Sequence, residues 1–179
     1  MLSIIRVAAA LLKLKPAVNV EAFPAVSGQV LHNGEPISNF KLRRGYIYIG
    51  SNNEEPVWDE THTDAQGHFN FAEIIIQSKN PNMPYSTNRF AQLIDIQDPR
   101  YPEYKDVYLW RTTSPGINHI PLLAERLATL NCDLNSNEVS HQMIDEKYEG
   151  AIRHEVHSIC RWPALEANEI KKRALYGEW

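Results

Sequence analysis

The sequence predicts an all-β chain folded as an antiparallel β-sandwich, and three observations lead there. Short segments with apolar residues at alternate positions recur at intervals of about ten residues. Between them stand turn-forming sets such as Asn33-Gly34-Glu35-Pro36 and Asp64-Ala65-Gln66-Gly67. Helical spacing is confined to the two ends. With 179 residues, 43% of them hydrophobic and 22% charged, the composition is that of an ordinary globular domain. A chain of this size buries roughly 70% of its unfolded surface and can close a core without staples.

Residues 1–15 place Ser3, Arg6, Ala10 and Lys13 at i, i+3, i+7 and i+10, one narrow face of an otherwise apolar helix that Pro16 stops. Three uses of that helix stay open. It can dock on the domain, anchor at a membrane interface with snorkelling basic residues, or serve as an atypical export signal cut after Val20-x-Ala22. The uninterrupted apolar run 7–12 is too short to span a bilayer. Peripheral membrane contact through residues 1–15 therefore remains open, and so does the location, cytoplasmic or periplasmic and inner-membrane-associated.

Residues 16–24, bounded by prolines, read as a linker. Strands follow. Val26, Gly28, Val30 and His32 alternate with Ser27, Gln29 and Leu31. In 40–50, Leu42, Tyr46 and Tyr48 share one face while Ile47 and Ile49 take the other. Residues 57–63 form a third strand and 68–76 a fourth, with Phe69 and Phe71 pointing the same way. The Pro- and Asn-rich stretch 77–88 is a loop. Strands 89–97 and 104–113 flank the Pro-containing excursion 98–102, and 127–134 with 139–144 form a further hairpin. Residues 154–162 put Val156, Ser158, Cys160 and Trp162 on one face as a closing strand. Pro163 ends it, and Leu165, Ile170 and Leu175 give 165–176 helical spacing. The organisation is thus a helix and linker at 1–24, the sandwich at 25–163 and a helical tail at 164–179.

The opening Val26-Ser27-Gly28-Gln29-Val30 with Asn33-Gly34-Glu35-Pro36-Ile37, and the later Thr63-Asp64-Ala65-Gln66-Gly67-His68-Phe69, resemble the transthyretin-like, carboxypeptidase-regulatory-like modules. The resemblance covers roughly residues 25–75 and implies a small prealbumin-like sandwich. In it Asp64 caps a turn, Gly34 and Gly67 occupy turns, Gly28 sits within the opening strand and Phe69 enters the core. A wider resemblance adds Leu130-Asn131-Cys132-Asp133-Leu134 and Ser158-Ile159-Cys160-Arg161-Trp162. Over these residues the chain is similar to a small Gram-negative family whose members tend to occur near type VI secretion effectors. That implies an immunity role, with a cognate effector or toxin protein as partner.

For chemistry the residues point to binding. His62 and His68 flank the Asp64–Gly67 turn near Asp59 and Glu60, a set that holds zinc only if its vectors converge, so no metal is expected. His154 and His157, three apart in a strand, fall on opposite faces. No nucleophile elbow, Walker loop, HExxH or Rossmann glycine pattern is present, and neither an enzyme nor a cofactor is expected. Lys41, Arg43 and Arg44 with Tyr46 and Tyr48 read either as an oligonucleotide face or as a solvated strand edge. The net charge of -4 favours the edge and argues against nucleic acid. Cys132 and Cys160 form either one disulfide or two buried thiols. The expected partner-facing residues are Tyr85, Arg89, Arg100, Tyr101, Tyr104 and Trp58, since aromatic and Arg side chains anchor interfaces and Pro-containing loops present them at low entropic cost. Trp110 and Trp162 belong to the core, while Tyr176 and Trp179 can also face a partner. An envelope-associated module that binds carbohydrate or another protein is the alternative function.

Overall fold

The computed structural model describes residues 15–50, 54–145 and 152–163, together with positions 167, 170, 171, 174 and 175. Twelve strands are formed among them: β1 Val18–Phe23, β2 Val26–His32, β3 Glu35–Pro36, β4 Lys41–Ile49, β5 Val57–His62, β6 His68–Phe71, β7 Ile74–Ser78, β8 Arg89–Ile96, β9 Tyr108–Pro115, β10 Leu130–Asp133, β11 Val139–Asp145 and β12 Ile152–Ser158. One helix, α1 at Pro121–Leu127, separates β9 from β10. The chain is all-β. Six strands make the largest sheet in the order β11-β12-β9-β8-β4-β5, all antiparallel. A second sheet runs β10-β2-β3 with β6 also on β2, and β1 pairs with β7 alone. Among the described residues no helix is long and apolar enough to cross a membrane.

The core collects the alternating positions of all three sheets. Leu42, Tyr46 and Tyr48 of β4 and Phe90, Ile94 and Ile96 of β8 join Val20 and Phe23 of β1, Val30 of β2, and Phe69 and Phe71 of β6 in one hydrophobic cluster. Trp110 and Trp162 are core residues, as expected, and they meet edge to face. Arg44 is in the same layer, only 1% exposed. Its Nε and Nη2 donate to both carboxylate oxygens of Asp59 at 2.9 and 2.5 Å, and Nη1 donates to the Ala72 carbonyl at 2.6 Å. The guanidinium lies 5.1 Å from the ring centre of Phe23 and 4.7 Å from that of Phe71. A buried cation is tolerated here because a carboxylate, a carbonyl and two ring faces replace its water.

The Asp64–Gly67 turn is built as its residues predict. Asp64 Oδ1 accepts from the backbone N–H of Gln66 and His68, and Gly67 has φ +74° with no room for a Cβ, which would meet the Val30 carbonyl at 2.6 Å. Asn33 and Gly34, both at positive φ, are held by the Asp133 carboxylate, which accepts from both backbone N–H groups. Burial alone would raise the Asp133 carboxyl; those donors, with the Asn135 N–H and the nearby His32, hold it below the usual carboxylate range. Cys132 and Cys160 are bonded to each other across an isolated antiparallel bridge, and both are fully buried. Closing a loop with this sequence separation of 28 is worth about 3.5 kcal/mol in the chain-entropy picture.

Several expectations are corrected. Residues 18–23 are not linker: β1 is an integral strand whose Val20, Ala22 and Phe23 are buried, so the ordered domain starts before residue 25. Its period-two pattern is framed by Pro16 and Pro24, which mask it. The single strand expected at 68–76 is two strands in different sheets, because the Ala72 carbonyl turns to Arg44 and the next inward position would bury Glu73. The hairpin expected from 127–134 and 139–144 does not form. Instead α1 begins at Pro121 and buries Leu123 and Leu127, β10 runs parallel to β2, and β11 pairs with β12. The excursion after residue 98 ends in a short 3-10 turn at Pro102–Tyr104, so the next strand starts at Tyr108 rather than at 104. Strand β4 is no edge, lying between β5 and β8. The N-terminal helix predicted at 1–15 and the partner-facing Tyr176 and Trp179 lie outside the described residues, residue 15 excepted. Of the predicted C-terminal helix, positions 167, 170, 171, 174 and 175 are described and are helical.

The Arg44 pair yields an asymmetric expectation for urea unfolding. Asp59→Ala leaves a buried guanidinium short of its anion and should cost about 2–3 kcal/mol. Arg44→Met lets the half-exposed Asp59 rehydrate and keeps apolar contact with Phe23 and Phe71, so it should cost less. The reverse order of the two midpoints would contradict this account.

Candidate functional site

The inward face of the six-stranded sheet is buried, and its outward face is open among the described residues. Register lays that face out as rows. Trp58 is opposite Gly45, Gly45 opposite Leu93, Leu93 opposite Arg111, and Arg111 opposite His157. One row on, Ile47 is opposite Ala91 and Ala91 opposite Thr113. Gly45, Ala91 and Thr113 leave low ground between Trp58 on the edge strand and the side chains of β12, and the sheet face is concave there. The groove holds about 620 Å³. Trp58 and Pro56 wall it on one side, Arg111, Glu155 and His157 on the other, and Arg89 and Pro115 stand at one end.

Gly45 is what lets Trp58 lie flat. A Cβ there would come within 2.2 Å of the indole carbons. The Arg43 guanidinium also lies over the indole, 4.1 Å from the ring centre. Arg43 is itself clamped by Asp95, with Nε–Oδ1 3.1 Å and Nη2–Oδ2 2.5 Å; this hydrogen bonding raises the Arg43 pKa against the opposing effect of burial. Trp58 is 41% exposed yet fixed in position, an arrangement that costs little further side-chain entropy on binding. Across the sheet Arg111 stacks on Tyr108 at 4.7 Å and approaches Glu138 at 3.5 Å. His157 lies between Glu138 and Glu155, at 3.6 and 3.4 Å.

Of the six residues expected to face a partner, Trp58 and Arg89 come together on this groove. Tyr85 is fully exposed on the loop just before Arg89, at φ +60°. Arg100, Tyr101 and Tyr104 do not join them. They sit beyond the other end of β4 and β8 and hold that end together: Arg100 binds Asp98 and donates to the Asn39 carbonyl at 2.6 Å, Tyr101 packs on Phe40 and His32, and Tyr104 Oη contacts His32 and Asn135. The suspected basic-aromatic cluster is divided by the sheet, with Arg44, Tyr46 and Tyr48 inward and Arg43 outward. His62 and His68 are in different sheets, and among the described residues no three His, Cys, Asp or Glu side chains are placed to hold a metal. His154 is buried and His157 half-buried, and both border the groove.

Sequence reasoning missed Gly45, Ile47, Ala91, Leu93, Arg111 and Thr113. One signal was present: a lone glycine inside a strand pattern marks a close approach. The others are legible only once the sheet order is known.

These features define a β-sheet protein with an open, aromatic- and arginine-bearing face. The chain matches the family described as a domain of unknown function (DUF6795) over residues 26–137, more than half of its length, and belongs to that family. The matched stretch carries the groove floor, Trp58, Arg89 and Arg111, while the Glu155 and His157 wall lies beyond it. No curated protein and no solved structure matches the chain.

Asp98 gives the structural end of the sheet a pH signature. Hydrogen bonding from the Arg100 side chain, opposed by burial and reinforced by the backbone N–H groups of Arg100 and Lys41, holds its carboxyl at about 2. The folded pKa lies below the unfolded one, so the stabilisation is complete above about pH 4 and is lost as pH falls toward 2, a change of about 2 kcal/mol. Asp98→Asn should flatten this part of the acid limb in thermal melts between pH 5 and pH 2.5. Parallel curves for the two proteins would contradict it.

Proposed function

We propose that this chain is a non-enzymatic protein-binding module, an immunity protein that neutralises a cognate bacterial toxin by direct binding through the outward face of its six-stranded sheet. The observation that carries the reading is the groove itself, a concave sheet face in which Trp58 is held ready by Gly45 and Arg43 with Arg89 and Arg111 nearby. Trp and Arg are the residue types that most often dominate binding energy when seated centrally, and a face this open suits a macromolecular partner. We take the sandwich to be of the prealbumin-like kind. Its two signature segments, around Val26–Val30 and Asp64–Phe69, lie side by side on β2 and β6. Resemblance to proteins encoded near type VI secretion effectors supplies the toxin, and the buried Cys132–Cys160 disulfide favours an oxidising compartment for the encounter.

The test is co-expression with the product of the adjacent gene. The chain should restore growth and co-purify with that product, and Trp58→Ala or Arg89→Glu should weaken the complex tenfold or more while leaving the thermal midpoint nearly unchanged. Absence of any partner from that locus, or an unaltered affinity in both variants, would sink the reading.

A further inference from the structure

The groove carries charge as well as apolar surface, and the charge selects its occupant. Arg89 stands opposite Pro115 and Arg111 opposite Leu93, so the two cations are four positions apart along the sheet, or about 13 Å of strand. Half-buried Ile47, Ala91 and Leu93 form the floor between them. The chain as a whole is acidic, at net charge -4. The groove is the reverse, with two arginines against the single carboxylate of Glu155 among its charged lining residues. Arg111 shares its charge with Glu138. The Arg89 guanidinium has no hydrogen-bond or ion-pair partner among the described residues, although it borders an apolar trough where desolvation strengthens any pairing.

We infer that the groove receives an acidic segment of the partner protein, an extended stretch that lays an aliphatic side chain on Ile47, Ala91 and Leu93 and brings carboxylates to Arg89 and Arg111. This rests on the partner-binding reading of the face and adds the partner's chemistry. Guanidinium forks match carboxylates two bonds at a time. The spacing of the two cations fits side chains four residues apart on one face of an extended strand, two repeats of about 7 Å each. Opposite charge on an otherwise acidic chain also orients the approach, so association slows as salt rises.

The experiment titrates the full ¹⁵N-labelled chain with two short blocked peptides, one repeating Glu-Ser-Leu-Ser, which puts glutamate and leucine on the same face of an extended strand, and one repeating Lys-Ser-Leu-Ser. The acidic peptide should shift the amides of Ile47, Ala91, Leu93 and Thr113, and R89Q/R111Q should weaken it tenfold or more. Arg89 is exposed, so R89Q alone is the companion variant that leaves folding undisturbed, with a smaller loss expected. Preference for the lysine peptide, equal affinity in R89Q/R111Q, or no shift of the groove amides at millimolar peptide would each overturn the acidic-segment assignment. So would displacement of the peptide by a single-stranded oligonucleotide. Failure of the immunity reading looks different: the acidic peptide would still bind the groove while the adjacent gene product would not bind the chain.

Discussion

The Arg44–Asp59 pair is the interaction on which the rest of the molecule hangs. Arg44 reaches from β4 to the edge strand β5 through Asp59 and to the crossover between β6 and β7 through the Ala72 carbonyl. It packs between Phe23 of β1 and Phe71 of β6. One buried cation thus touches the six-stranded sheet and the strands laid over it. Its charge calls for this geometry, because a guanidinium out of water has to be given acceptors. Gln92 repeats the theme one strand away, its amide donating to the Ala22 carbonyl of β1 at 2.8 Å.

Fixing β5 in this way has a consequence on the opposite side of the sheet. Asp59 points inward to Arg44, so its neighbour Trp58 must point outward, over Gly45. Arg43, next to Arg44, must likewise point outward and cover the indole. Period-two geometry turns one core ion pair into an ordered aromatic on the surface. With Ala91 and Thr113 small in the adjoining strands, the indole has no neighbour of its own height on the floor, and a groove results.

Much of the strand content was legible in the sequence because alternation is a local property. The faces of β4, the inward Phe69 and Phe71, the Asp64–Gly67 turn and the core positions of Trp110 and Trp162 all follow from period two and turn chemistry. What failed depended on partners remote in sequence. Nothing local tells Leu130–Asp133 to run parallel to β2, or splits 68–76 at Ala72, since both are decided by where another sheet lies. The prolines beside β1 looked like linker punctuation although Val18, Val20 and Ala22 alternate correctly. The site suffered most. Tyr101 and Tyr104 stand at the other end of the sheet, packed on His32 and Phe40, and Arg111 reads as an ordinary strand residue until register places it across from Leu93.

The outward face of the six-stranded sheet is the surface we propose for partner binding. The most direct measurement is hydrogen–deuterium exchange of the chain alone and in complex with the product of its adjacent gene. Added protection should concentrate in β5, β8 and β9, with the 98–104 segment unchanged. Protection confined to 98–104, or to the β2–β6 side, would contradict it.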